Sequence, residues 1–203
     1  MQCQNLVESE VLNVVLAADI VPDRMDDTQL LQAIQHLVQA GTPVGEVSND
    51  LGVLHLQHRT TAGGNGGSSV SGAWETRDIN YELENSIANA SLDISNSRFT
   101  LAPGVYIIDF EQQFYLTGVT HSRLQSITGD AVTINSTTGH GGSSGSTSIA
   151  LGISGRVVRL TEETTFELQY FCANDRATNG LGVGTIGSGE PDIHMDCCVR
   201  RLA

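Results

Sequence analysis

Between residues 5 and 20, Val7, Val11, Val14 and Ala18 recur at alternating steps of four and three, the spacing of one apolar seam along an α-helix. Leu12, Val15 and Leu16 add a second apolar face, and Pro22, which cannot continue a helix, closes the segment. A second helix is predicted from Asp26, placed to cap it, with Gln29 three residues on reaching back as in a capping box. Leu30, Leu31, Ile34, Leu37 and Val38 form its stripe; Gly41 and then Pro43 supply the stop. Two short helices with this much apolar surface cannot bury it all against each other. The surplus has two outlets, the β part of the same chain or self-association and docking into a larger assembly, and the second is favoured.

Residues 44–60 carry Val53, Leu54 and Leu56 among polar neighbours and fit a short strand or an extended stem. The run Thr61-Ala62-Gly63-Gly64-Asn65-Gly66-Gly67-Ser68-Ser69 offers almost no side chain to bury and reads as a pliable connection. It leads to Trp74, the only tryptophan. From Ala73 the period becomes two. Tyr106, Ile108 and Phe110 alternate with Ile107 and Asp109, and Pro103-Gly104 marks a turn before them. Val132 and Ile134 alternate, then Ile149, Leu151 and Ile153, then Phe166, Leu168, Tyr170 and Cys172, and finally Ile193, Met195, Cys197 and Val199. Short strands separated by turn signals predict a mainly β chain with a short α-helical N-terminal segment, the β part an antiparallel sandwich or jelly roll. The organisation read from the pattern is a helical segment over 1–43, an extended Gly/Ser-rich connection over 44–72 and a β head over 73–203.

Charge narrows the function. The 203 residues carry a formal net charge of −13, and all ten basic residues are arginine. Such a chain meets phosphates with repulsion, which argues against nucleic acid and against an anionic membrane surface, and no apolar stretch is long enough for a membrane helix. Cys3, Cys172, Cys197 and Cys198 form neither a CxxC pair nor a disulfide framework and read as reduced, buried residues. The start Met1-Gln2-Cys3-Gln4-Asn5 lacks the positive region of a signal peptide, so synthesis in a cytosol is expected.

Candidate chemistry is sparse. Without lysine there is no phosphate-cradling Gly-x-x-x-x-Gly-Lys, and the glycines of Gly180-Leu181-Gly182-Val183-Gly184 read as tight packing or a strand bend. His194 and Asp196 are expected on one face of the last strand, as a structural pair rather than a metal site. Asp109 and Glu111 share a face as paired glycosidase carboxylates do, but a solvated strand produces the same alternation. No Gly-x-Ser-x-Gly elbow stands in a suitable context. The expectation is a protein that is not an enzyme and uses no cofactor or metal. The loop Thr138-Gly139-His140-Gly141-Gly142-Ser143-Ser144-Gly145-Ser146 should be exposed between two strands.

Leu12-Asn13-Val14-Val15 with Asp27-Thr28-Gln29-Leu30-Leu31-Gln32-Ala33-Ile34 resembles a segment frequent in tail-fibre proteins of tailed bacteriophages. Gly72-Ala73-Trp74-Glu75-Thr76-Arg77-Asp78-Ile79-Asn80 resembles the lead-in to a small β domain at the end of many fibres. Phe99-Thr100-Leu101-Ala102-Pro103-Gly104-Val105-Tyr106, Thr165-Phe166-Glu167-Leu168-Gln169-Tyr170 and Gly180-Leu181-Gly182-Val183 follow in the same order. The resemblance implies a homotrimeric, non-enzymatic virion protein, assembled in the host cytoplasm, whose C-terminal domain is a jelly roll akin to the tumour-necrosis-factor fold. It implies a short fibre or spike for attachment to the bacterial surface; the alternative is a capsid-decorating head fibre, because this chain has almost no shaft. Residues 1–43 would join the other virion proteins, with Val7, Val11, Val14, Leu31, Ile34 and Val38 as the trimer seam. Tyr115, His121 and His140 are the expected contacts to a host surface glycan.

Overall fold

A computed structural model describes residues 6–23, 26, 28–41, 51–145, 147–185 and 187–202. The chain divides into two compact units, Met1–Val47 and Ser48–Ala203.

The first unit is a helical hairpin of α1 (Leu6–Ala17) and α2 (Gln29–Gly41). Proline does not end α1. Asp19 takes a left-handed φ of 56°, the Ile20 amide donates to the Val15 carbonyl at 3.2 Å and the Asp19 amide to Leu16 at 3.1 Å. This is a Schellman stop with its usual apolar contact, since Ile20 packs on the Val15 cluster. The start of α2 also differs from expectation. Asp26 accepts from the Thr28 amide and hydroxyl at 2.9 and 2.6 Å, and the Thr28 carbonyl accepts the first helical bond, from Gln32. Thr28 therefore occupies the cap, and Gln29 reaches back past Asp26 to the Asp23 amide at 2.8 Å. Val15, Ala18 and Ala33 are buried between the helices, the two alanines permitting close approach.

The second unit is an antiparallel β-sandwich of jelly-roll type. One sheet contains β1 (Val53–Thr60), β3 (Tyr81–Asn85), β6 (Gly104–Tyr115), β10 (Ser148–Leu160) and β12 (Asp192–Arg201), in the order β10-β6-β12-β1-β3. The other runs β4 (Ser91–Asp93), β5 (Arg98–Leu101), β11 (Thr164–Cys172), β7 (Val119–Thr128), β8 (Thr133–Asn135). Two short strands extend it, β2 (Glu75–Thr76) on β11 and β9 (Gly139–His140) on β7. The inward alternation expected from sequence packs between the sheets: Tyr106, Ile108 and Phe110 of β6, Phe166 and Leu168 of β11, Cys197 and Val199 of β12. Phe99 and Phe166 stack at 5.5 Å. Full burial of each such side chain stabilises the fold by about 1.5–3 kcal/mol.

Of the two readings of 44–60, residues 53–60 take the strand: β1 lies inside the sheet, between β12 and β3, so the β unit does not wait for residue 73. Nor is the glycine run pliable. The Gly66 amide donates to the Gly182 carbonyl, Leu181 to Gly67, Gly63 to the Asp192 carboxylate and Gly184 to the Asn65 side chain, and Ser69 bridges Arg176. Glycine is required by proximity. A Cβ on Gly66 would lie 2.2 Å from the Leu181 carbonyl oxygen, and one on Gly184 would lie 2.5 Å from Gly63. The 180–184 glycines are tightly packed, as the sequence suggested.

Candidate functional site

On the helical hairpin, the expected seam residues take different positions. Val14 packs into the contact between the helices, whereas Val11, Leu31 and Ile34 are 37%, 59% and 47% exposed. Leu16 and Leu30 are exposed beside them, and a shallow groove between the helices is lined by Val11, Leu12, Val15 and Leu30. The side chains of Val7 and Val38 lie outside the described residues.

The three residues expected to contact a glycan all meet one loop. Tyr115, at the end of β6, donates its hydroxyl to the Gly145 carbonyl at 3.4 Å, with Arg176 5.6 Å over its ring. His121, on β7, lies 3.2 Å from the Thr138 hydroxyl through Nδ1. His140 lies in the loop itself, on β9 opposite Val119, and its Nδ1 accepts from the Gly142 amide. The 138–145 segment thus links strand ends of both sheets.

His121 also belongs to a larger constellation. Phe171 of β11 faces His121 directly across the β11–β7 ladder, and the pairing of Thr76 with Gln169 brings Trp74 alongside Phe171. Trp74 lies 5.9 Å from Phe171 and 6.5 Å from His121, edge-on to the latter. The result is an aromatic row on the outer face of this sheet, ending at Thr138. Beside it runs a polar row: Thr76, Gln169, Arg123 and Asn135 face one another across β2, β11, β7 and β8. The Arg123 guanidinium lies 3.9 Å over the Trp74 ring and donates through Nε to Gln169 Oε1 at 2.9 Å. Partial burial pulls its pKa below the ordinary arginine value. Glu167, on the same strand face as Gln169, is already engaged: Arg98 donates to Oε1, and Thr76 and Gln169 donate to Oε2. Sequence reading marked Trp74 only as a domain lead-in and missed Phe171 and Arg123. The available signal was the outward half of the β11 and β7 alternation.

Beneath the glycine run, Arg77 is fully buried. Its Nη2 donates to the carbonyls of Leu181 at 2.6 Å and His194 at 2.9 Å, whereas Nε and Nη1 have no hydrogen-bond partner among the described residues. Burial pushes its pKa down to about 10, so it remains charged at neutral pH. The His58 and His194 rings lie 5.8 Å apart. Burial, then the charges of Arg77 and His194, push the His58 pKa down to about 4. His194 Nε2 faces the Gly64 carbonyl at 3.0 Å, which fixes that nitrogen as the donor and pins the glycine run to β12.

His194 and Asp196 do not share a face. Asp196 pairs opposite Gln57 and Ile193 opposite Arg59, so one extra residue of β12 is accommodated at a bulge. The bulge buries His194, while Asp196 stays on the outer face and receives His55 and Gln57, each at 2.8 Å. Asp109 is occupied by Arg200, Ser154 and the Gly155 amide, and Glu111 is exposed opposite Asp196. Among the described residues, no three His, Cys, Asp or Glu side chains converge as metal ligands, and no helix is long and apolar enough to cross a membrane.

No family model matches the chain, and no curated protein matches it. Solved structures similar to it include murine APRIL. Its crystal structure at pH 8.0 aligns with 73% of this chain and 98% of its own, at 11% identity and a TM-score of 0.44. The pH 5.0 structure aligns with 75% and 99%, at 12% identity and a TM-score of 0.48. PRD1 vertex protein P5 aligns with 75% of this chain and 98% of its own, at 15% identity and a TM-score of 0.40.

Proposed function

We propose that this chain is a structural protein of a tailed-bacteriophage particle, a homotrimeric short fibre or spike that displays its sandwich to the bacterial surface. The observation that carries the reading is the construction in two unlike units, with Val11, Leu16, Leu30, Leu31 and Ile34 left exposed on a hairpin of two short helices. Helices of 12 and 13 residues are marginal on their own. Joining three hairpins about one axis covers these side chains at about 25 cal/mol per Å². The resemblance of the ordered motifs to phage fibres is what supports the particle and the host surface as partners in this reading. Three linked heads then turn weak contacts to a repetitive glycan into avid attachment.

A second reading, a capsid-decorating head fibre, is favoured by one observation: only residues 42–52 separate α2 from β1, leaving no room for a long shaft. Light scattering on the purified chain tests the common premise, with an expected mass three times the 21.6 kDa of one chain. A single-chain mass at micromolar concentration would overturn it. Gold labelling of intact particles then separates the readings by staining tail tips or heads.

A further inference from the structure

The proposed attachment needs a surface that recognises a ligand, and the outer face of the β11–β7 sheet has the composition of one. Trp74 is 36% exposed although it is the chain's only tryptophan and the most expensive side chain to leave in water. It does not stand alone. Trp74, Phe171, His121 and Thr138 form one cross-strand row, and Thr76, Gln169, Arg123 and Asn135 form the next. One row offers apolar ring surface, and the other offers the Arg123 guanidinium and the exposed Asn135 amide, the Gln169 amide and the Thr76 hydroxyl being engaged with Arg123 and Glu167.

This pairing suits a sugar. A pyranose ring presents a face of C–H groups that lies on an aromatic side chain, while its equatorial hydroxyls bond planar polar groups at the rim. The open, flat face suits an extended polymer lying across several strands. Arg123 narrows the class further. The protein carries −13, yet among the described residues the Arg123 guanidinium bonds only the Gln169 amide and the Trp74 ring, and Glu167 is taken by Arg98, Thr76 and Gln169. A guanidinium with free fork donors matches a carboxylate bidentately.

Resting on the attachment reading, we infer that the face built by Trp74, Phe171, His121, Gln169 and Arg123 binds a carboxylate-bearing polysaccharide, its sugar ring against the aromatic row and its carboxylate on Arg123.

The sole tryptophan is a built-in reporter. The full chain is titrated with hexagalacturonate, with maltohexaose as the neutral control, while Trp74 emission and its quenching by acrylamide are followed. Hexagalacturonate should shift the emission saturably and protect the indole, more weakly as salt rises, with maltohexaose binding at least about tenfold more weakly. Arg123→Gln should lose about tenfold or more in affinity for hexagalacturonate and little for maltohexaose, with its thermal midpoint unchanged. His121→Ala gives a second readout should Arg123→Gln fold poorly. No emission change with either oligosaccharide overturns the site, and equal binding of the two overturns the role of Arg123. Host-cell binding by Trp74→Ala equal to that of the parent chain rejects the site and leaves the attachment reading standing. Saturable hexagalacturonate binding by a chain that ignores host cells keeps the site and rejects attachment.

Discussion

Mild acid should loosen the sandwich through His58. In the folded protein this imidazole is buried beside Arg77 and His194, and its pKa falls from 6.5 to about 4. Above the unfolded value the ring is neutral in both states and the fold has its full stability. As pH falls through 6.5 towards 4, the unfolded chain binds a proton that the folded chain refuses, so stability declines across that window and levels off below it. At about 1.4 kcal/mol per pH unit the whole displacement corresponds to roughly 3 kcal/mol, and water reaching part of the ring reduces this to about 2 kcal/mol. His194, lowered chiefly by burial, acts in the same direction. Asp109, Asp130, Glu167 and Asp192 have folded values below their ordinary ones of 3.8 to 4.5, so their contributions begin to be lost only as pH falls to those ordinary values and are gone below the folded ones. The upper window therefore belongs to histidine. Urea unfolding followed by Trp74 fluorescence and far-ultraviolet dichroism, from about pH 7.5 to about 4.5, should show the midpoint falling. His58→Gln should start less stable and lose less on acidification, by close to one proton's slope. A parent midpoint independent of pH in this window, or an undiminished slope in His58→Gln, refutes the account.

Other perturbations isolate other links. Leu31→Asp combined with Ile34→Asp places charge on exposed seam positions and should reduce the native mass to one chain while leaving the sandwich's dichroism intact; an unchanged assembly locates the contact elsewhere. Gly66→Ala drives a Cβ to 2.2 Å from the Leu181 carbonyl oxygen and should cost about 2–3 kcal/mol in a thermal melt. Gly145→Ala, with open space around it but a φ of +81°, should cost only about 1 kcal/mol, and equal losses would contradict close approach as the reason for the run. Arg77→Ala strands the Leu181 and His194 carbonyls and opens a cavity, for a loss of about 3 kcal/mol; a shift within about 0.5 kcal/mol would show that the guanidinium ties nothing together.

The elements were legible where local pattern and tertiary role agree. Period two in Phe166-Glu167-Leu168-Gln169-Tyr170 exists because one face of β11 meets the core, and three-four spacing in α1 exists because Val14, Val15 and Ala18 meet α2. The glycine run reads as a linker in sequence because a linker and a close approach are written in the same letters. Absence of a Cβ gives freedom in the one and admits a neighbouring carbonyl in the other, and only the position of Leu181 decides which applies. His194 was misplaced because alternation assumes an unbroken ladder, and the extra residue at the His58–Arg59 step reverses which side it faces without leaving a mark on β12 itself. The candidate site was hidden for a third reason. Its aromatic row takes one residue from each of four segments, Trp74, His121, Thr138 and Phe171, so no stretch of chain contains it. Each of those side chains appears in sequence as the outward partner of a core residue, where solvation alone explains it. What distinguishes them is register: the ladder places tryptophan, phenylalanine and histidine shoulder to shoulder, with an arginine in the adjoining row and the Glu167 carboxylate already engaged by Arg98. A surface of this kind acquires its chemistry only when the sheet is assembled, and for that reason the tests that matter most for it are those that keep the sheet intact and change a single side chain on it.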